Sequence, residues 1–332
     1  MVSDIRDLAA DARREAEQGD PQAQLRLGRA LLTGEGAAFA PEEGAAWVRR
    51  AAAAGSLEAI GLAATLSAGG IGLPRELNEA LDLLVVGAER GDPRAQGQLR
   101  ALGAAAGPDA SWRDLRAHID ILAWMQPAER IPVCEAPRVR SIKGFASPEV
   151  CDWIITAVRD RMSRAMMYNP ETKQDEPHPG RTNSGVFLDV HTTDVVISLV
   201  RMKMSLTLKI PEACFEPTQV LHYRVGEQIA PHFDFLEKRE MIDVRTGAPY
   251  EGQRIVTFLL YLNDDFTGGE TEFPRAGVKF RGAKGDALFF ANVDLEGRPD
   301  RATLHAGVPP ITGEKWTLSQ WIQNQTFTGV KA

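Results

Sequence analysis

His232, Asp234 and His305, followed ten residues later by Lys315, are the residues of this chain whose types and order could do chemistry. Two imidazoles and a carboxylate on one face of an Fe(II) ion leave the other face open, with room for a keto acid and then dioxygen. In His232-Phe233-Asp234 an extended backbone turns the first and third side chains to the same side, since strand side chains repeat every two residues. By the same rule Lys315, Thr317, Ser319 and Trp321 share one face of a strand, and a lysine on an otherwise inward face needs an anion. The free carboxylate of a dicarboxylic keto acid would supply one; an ordinary exposed strand lysine is the plainer alternative.

Regular elements must hold these residues in place. Residues 219–225 read as a strand that Gly226 breaks, and Pro231 stands directly before His232. At the other end, residues 285–290 form a short apolar run after a turn, and His305-Ala306-Gly307 leads through Pro309-Pro310 to the strand that carries Lys315. Short strands dominate after about Thr218, whereas residues 147–166 read as a helix with Ser147 as N-cap and Glu149 in its first turn. A second His-x-Asp, His118-Ile119-Asp120, lies in residues 111–122, whose apolar spacing is helical. Side chains two positions apart on a helix diverge by about 200°, so that pair cannot chelate one ion.

From about Pro137 to Gln325 the chain resembles the prolyl 4-hydroxylase branch of the Fe(II)/2-oxoglutarate dioxygenases. The ordered blocks that carry the resemblance include Arg181-Thr182-Asn183-Ser184, Leu221-His222-Tyr223-Arg224-Val225-Gly226 and Pro231-His232-Phe233-Asp234-Phe235, then Gly268-Gly269-Glu270-Thr271 and Gly313-Glu314-Lys315-Trp316. It implies a double-stranded β-helix, a jelly roll with flanking helices and the metal at its open mouth. His232, Asp234 and His305 would then ligate iron, and Lys315 would pair with the distal carboxylate of 2-oxoglutarate. Tyr223 and Thr271 would add hydrogen bonds to that cosubstrate. Arg254 and Trp321 match positions of substrate placement or the site wall, and Arg181 opens a motif near a flexible lid, for which residues 166–181 are the candidate.

Residue types alone leave plainer readings open. Tyr223 and Trp321 could be core aromatics, and Arg254 could neutralise surface acids such as Asp264 or Asp265. His178, His191 and His222 read as non-ligands. Two positions depart from the family pattern: Ile229 stands where tyrosine is frequent, three before His232, and Asn183 where serine is more usual. Hydroxylation of a prolyl residue in a peptide or protein, with release of succinate and carbon dioxide and with ascorbate as reductant, is the implied reaction. The alternative suggested by the two departures keeps the iron chemistry and changes the target to another side chain, a free amino acid or a small molecule.

The N-terminal part follows a different rule. Gly19-Asp20-Pro21 recurs as Gly55-Ser56-Leu57 and as Gly91-Asp92-Pro93, a spacing of 36 residues (55 − 19 = 91 − 55), and Gly34 and Gly36 return as Gly70 and Gly72. A period near this length marks an α-solenoid of helix-turn-helix units that hide their apolar faces by stacking. The blocks resemble Sel-one-like repeats, relatives of the tetratricopeptide repeat. Such an array would bind a protein partner, recruit a protein substrate, or serve only as a scaffold. Two readings of the whole chain follow, an enzyme or an interaction protein whose jelly roll is a sensor or scaffold.

The expected architecture is α+β multidomain: a repeat domain over residues 1–125, a linker over 126–136 and the dioxygenase domain over 137–332. Composition suits two cores, with 44% hydrophobic and 25% charged residues, and the net charge of −7 argues against a general nucleic-acid or anionic-membrane surface. No apolar stretch follows Met1, so neither secretion nor membrane insertion is expected. Cys134, Cys151 and Cys214 are odd in number and lack metal-site spacing, which points to free thiols in a reducing, cytoplasmic compartment.

Overall fold

The 36-residue recurrence folds as successive helices: α1 (Pro21–Thr33), α2 (Pro41–Ala53), α3 (Leu57–Gly69), α4 (Leu77–Glu89) and α5 (Pro93–Leu102). The computed structural model describes residues 12–169, 172, 174–237, 242–243, 250–327 and 330–331. Asp20, Ser56 and Asp92, at one position of the repeat, cap α1, α3 and α5 by accepting the backbone N–H groups of Ala23, Ala59 and Ala95. Gly28 and Gly44 let α1 and α2 meet at their backbones: a Cβ on Gly28 would lie 2.7 Å from Val48, and one on Gly44 2.8 Å from the Gly28 carbonyl. Leu25, Leu32, Val48, Leu62 and Leu66 fill the core between the pairs.

Residues 111–122 differ from the single helix expected. They form two short helices, Trp112–Ala117 and Ile121–Trp124. The Asp120 side chain accepts from the Ala123 N–H and so starts the second helix, while His118 Nδ1 lies 2.8 Å from the Asp114 carbonyl. Both members of that His-x-Asp are occupied by local backbone. The helix expected over 147–166 is also shorter: Ser147 caps it as anticipated, but α6 (Pro148–Val158) gives way to a 3-10 turn at Arg159–Arg161 and then to strand at Ser163–Arg164.

The residues group into two compact units that are not contiguous in sequence. One comprises Met1–Gln126 with Asp189–Lys203, the other Pro127–Leu188 with Met204–Ala332. The helix α7 (Val195–Leu208) therefore begins in the first and ends in the second.

Two main antiparallel sheets build the second unit, beside three two-stranded ones among the described residues. Its site-bearing strands are β1 (Thr218–Tyr223), β2 (Ile229–His232), β3 (Arg254–Tyr261), β4 (Thr271–Phe273), β5 (Ala287–Ala291), β6 (His305–Gly307) and β7 (Lys315–Gln323). The larger sheet has eight strands, among which β5, β3, β7 and β1 are consecutive neighbours; in the smaller, four-stranded sheet β4, β6 and β2 are neighbours. Side chains from both meet in one core, where Phe273 of β4 packs edge-on against Phe290 of β5 with ring centroids 5.0 Å apart, beside Val139, Tyr261 and Leu288. This is the expected jelly roll, and its strand alternation aims polar side chains of β1, β3 and β7 into the space between the sheets.

Candidate active site

The β2–β6 register sets His232 opposite His305, with ring centroids 4.3 Å apart. Asp234, just past the end of β2, closes the group: its Oδ1 lies 3.4 Å from His232 Nε2 and its Oδ2 3.4 Å from His305 Nε2. One ligand atom from each residue falls within 4.8 Å of the others, a spread a single ion can span. The far nitrogens are already engaged, His232 Nδ1 at 2.9 Å from the Ala230 carbonyl and His305 Nδ1 at 3.0 Å from the Thr303 carbonyl. Each Nδ1–H donates to its carbonyl, which fixes the tautomer and leaves both Nε2 lone pairs facing the gap.

Asp234 is fixed from behind. Its Oδ2 accepts from Thr257 Oγ1 at 2.7 Å, and Thr257 in turn accepts from Asn292 Nδ2 at 2.9 Å. Burial alone would raise the Asp234 pKa and lower that of His232. The contacts reverse both: despite burial, His305 and His232 hold Asp234 well below the usual carboxylate range. Partial burial lowers the His232 pKa, but the hydrogen bond and charge of Asp234 outweigh it and raise that pKa. A bound cation replaces the proton in such a cluster, so the donor set fits a divalent metal by type, spacing and charge.

Lys315 opens β7 directly opposite Tyr223 on β1. It is only 2% exposed, and burial pushes its pKa down to about 8 against a weaker raising influence of Glu270. Its Nζ lies 5.1 Å from the centroid of the Tyr223 ring and 5.7 Å from that of Tyr261. Among the described residues no carboxylate forms an ion pair with it, and a buried ammonium in that state is a receptor for an anion. The Thr271 hydroxyl lies 2.9 Å from the Tyr261 hydroxyl, and burial raises the pKa of both Tyr223 and Tyr261, so both phenols stay protonated and able to donate.

One cavity of about 960 Å³ is lined by all nine residues singled out in the sequence: His232, Asp234, His305, Lys315, Tyr223, Thr271, Arg254, Trp321 and Arg181. Lys315, Thr317, Ser319 and Trp321 do share its wall, as strand alternation predicts. Arg254 does not neutralise Asp264 or Asp265. It makes a two-pronged ion pair with buried Glu216, at 2.6 and 2.8 Å, and its guanidinium lies 3.7 Å from the centroid of the Trp321 ring. Gln323 Nε2 donates to the same Glu216 carboxylate. Arg181 donates to Gln219 Oε1 at 3.3 Å and keeps a buried Nε without a partner among the described residues, while burial lowers its pKa.

His178 also lines the cavity, whereas His222 sits outside it, 2.9 Å from Glu314 and stacked on Trp316. Within the candidate lid, Met167–Asn169 and Gln174–Glu176 pair as a hairpin, and Met167 and Gly180 reach the cavity wall. Pro170, Glu171 and Lys173 of that segment lie outside the described residues.

A model of the 2OG-Fe(II) oxygenase superfamily matches residues 218–323. A probable prolyl 4-hydroxylase 6 of Arabidopsis thaliana is 33% identical over 210 residues, which cover 58% of this chain and 70% of the plant protein. The chain belongs to the prolyl 4-hydroxylase family. This family member is accordingly a 2-oxoglutarate-dependent dioxygenase, with Fe(II) and 2-oxoglutarate as its cofactor and cosubstrate. Among solved structures, the 2OG complex of a viral collagen prolyl hydroxylase from Paramecium Bursaria Chlorella virus-1 is 27% identical, covering 57% of this chain and 98% of the viral one, at a TM-score of 0.44. A Sel1 repeat protein from Oxalobacter formigenes is 32% identical over 27% of this chain and 26% of its own, at a TM-score of 0.27.

Several functional neighbours in this prolyl 4-hydroxylase family member were invisible in its sequence. Thr257 and Asn292 buttress Asp234 only because β3 and β5 are adjacent, and Tyr261 reaches Thr271 across the two sheets. Glu216 carried one usable signal, an acidic residue two before a strand of uniformly buried residues.

Proposed function

We propose that this enzyme hydroxylates a prolyl residue in a peptide or protein while converting 2-oxoglutarate to succinate and carbon dioxide. The observation that carries the reading is the single cavity on which the His-Asp-His cluster, a buried lysine with no ion pair among the described residues and an arginine–tryptophan platform converge. His232, Asp234 and His305 would hold Fe(II), and Lys315 would pair with the distal carboxylate of 2-oxoglutarate. Tyr223 and Thr271 would donate hydrogen bonds to that cosubstrate. Once bound, the iron and the keto acid supply oxidative decarboxylation in the presence of dioxygen and the power to hydroxylate an unactivated C–H bond.

The protein's share is placement. Thr257 keeps the Asp234 carboxylate in one orientation, and the carbonyls of Ala230 and Thr303 keep both imidazoles turned inward. Arg254, pinned by Glu216 over Trp321, would present a flat cationic surface to the substrate, and the free Nε of Arg181 would meet a substrate carbonyl. The hairpin within residues 166–181 would close over the bound peptide. Ascorbate would serve as reductant.

Three free cysteines support a reducing, cytoplasmic setting, and among the described residues no helix is long and apolar enough to cross a membrane. The division into a repeat domain (1–125), linker (126–136) and catalytic domain (137–332) is part of the same proposal, with the qualification that Asp189–Lys203 packs with the repeats.

The test uses purified full-length protein with Fe(II), ascorbate, 2-oxoglutarate and proline-containing peptides, followed by mass spectrometry. Succinate release with one oxygen added at a prolyl residue is expected. A second reading, hydroxylation of another side chain or a small molecule, is favoured by Ile229, which puts an aliphatic chain on the cavity wall beside Arg181. Oxygen found on such a product, with peptidyl proline untouched, would replace the first reading by the second.

A further inference from the structure

The helical unit contains a stretch that is not part of its repeat. Asp189–Lys203 groups with the repeats and is joined to them at several points. The Val195 N–H donates to the buried Gln98 Oε1 of α5 at 2.9 Å. Val190 packs on the cluster that holds Leu62 and Leu66 of α3. Ser198 Oγ lies 3.8 Å from where a Cβ on Gly69 would stand, and the Lys203 ammonium lies 5.5 Å from the centroid of the Trp124 ring.

The points of contact follow the repeat itself. Around the segment's start, a cleft is lined by Arg29 and Thr65, by Glu58 and Arg94, and by Leu62 and Gln98. Each pair is one repeat apart, since 65 − 29, 94 − 58 and 98 − 62 all equal 36. The segment thus lies along one continuous face made by the first helix of each unit, α1, α3 and α5. The middle of these shows it most plainly. Nine of the thirteen residues of α3 are buried, and after Glu58 it carries no charged residue. An apolar helix of that kind is covered on every side.

We propose that this face of the repeats is a peptide-binding surface occupied in cis by Asp189–Lys203. The repeats work as an internal clamp and do not offer that face to a substrate or partner peptide while the segment is seated. Strand Ser184–Leu188 precedes the segment and β1 follows α7, so what the repeats clasp is the connection leading into the strand that carries Gln219 and Tyr223 of the cavity wall.

Hydrogen exchange of the full chain, read by mass spectrometry, tests the clamp. Amides of 195–203 are expected to exchange as slowly as those of α3 in the wild type. In a Val190→Asp, Gln98→Ala double variant they should exchange at least about tenfold faster, with β7 unchanged. Rapid exchange of the segment in the wild type, or undiminished protection in the double variant, would overturn the proposal. Should the double variant unfold altogether, Gly69→Cys with Ser198→Cys decides the matter: air oxidation is expected to link the two, and failure to link refutes the docking.

Discussion

The two units of this chain differ in what surrounds the charged groups that stand out in each. In the helical unit Arg13, Arg29, Arg49 and Arg116 pair with Glu43, Glu58, Glu79 and Asp82, and each pair includes a partly exposed member. In the jelly roll, Asp234, Lys315 and Arg181 line one cavity, and among the described residues no carboxylate pairs with buried Lys315 and the Arg181 Nε has no hydrogen-bond partner. The first arrangement is what a stacked scaffold needs, with polar groups left where water reaches them. The second costs stability and is tolerated where ligands complete it. A buried ammonium with no carboxylate paired to it among the described residues, rather than charge as such, marks the site.

Removing a metal donor should break the contrast most severely. Asp234→Ala or His232→Ala is expected to abolish succinate formation in a discontinuous assay, with the helical unit's circular dichroism retained. Lys315→Met should act in two directions at once. Loss of a charge-assisted contact weakens 2-oxoglutarate binding by roughly 10- to 100-fold in calorimetry. Relief of an unpaired buried ammonium raises the stability of the ligand-free protein by about 1–3 kcal/mol in urea denaturation.

Thr257→Val keeps all three ligands but frees Asp234 from its brace, and should lower Fe(II) affinity by about tenfold. pH sharpens the same comparison. The Lys315 pKa, depressed to about 8, means that the folded chain binds fewer protons than the unfolded one between about 8 and the ordinary lysine value. Over that window this group's contribution to ligand-free stability rises with pH. Binding of 2-oxoglutarate, which needs the ammonium, is flat below the window and weakens up to about tenfold per pH unit within it. The smallest effect belongs to the scaffold: Asp20→Ala or Ser56→Ala should cost about 1 kcal/mol in thermal unfolding and leave 2-oxoglutarate affinity unchanged.

Local pattern made much of this legible in the sequence. Strand alternation set Lys315, Thr317, Ser319 and Trp321 on one wall, and the 36-residue recurrence of the Gly19-Asp20-Pro21 block marked the helical repeats. What could not be read depended on which strands become neighbours. Arg254 finds Glu216 rather than Asp264 because β3, β7 and β1 lie side by side, a fact of topology that no short window contains. The break at His118 was hidden because apolar spacing continues through it, while the capping carboxylate of Asp120 outweighs that spacing. The non-contiguous units were hidden for a similar reason, since the apolar run at 195–200 shows that it is buried but not by what.

The most direct measurement is anaerobic calorimetry of 2-oxoglutarate binding to the full chain, with and without Fe(II), repeated on His305→Ala. One binding event per chain is expected, tight only when iron is present and lost in the variant. Equal affinity with and without iron, or binding indifferent to the loss of His305, would contradict an iron site built from His232, Asp234 and His305.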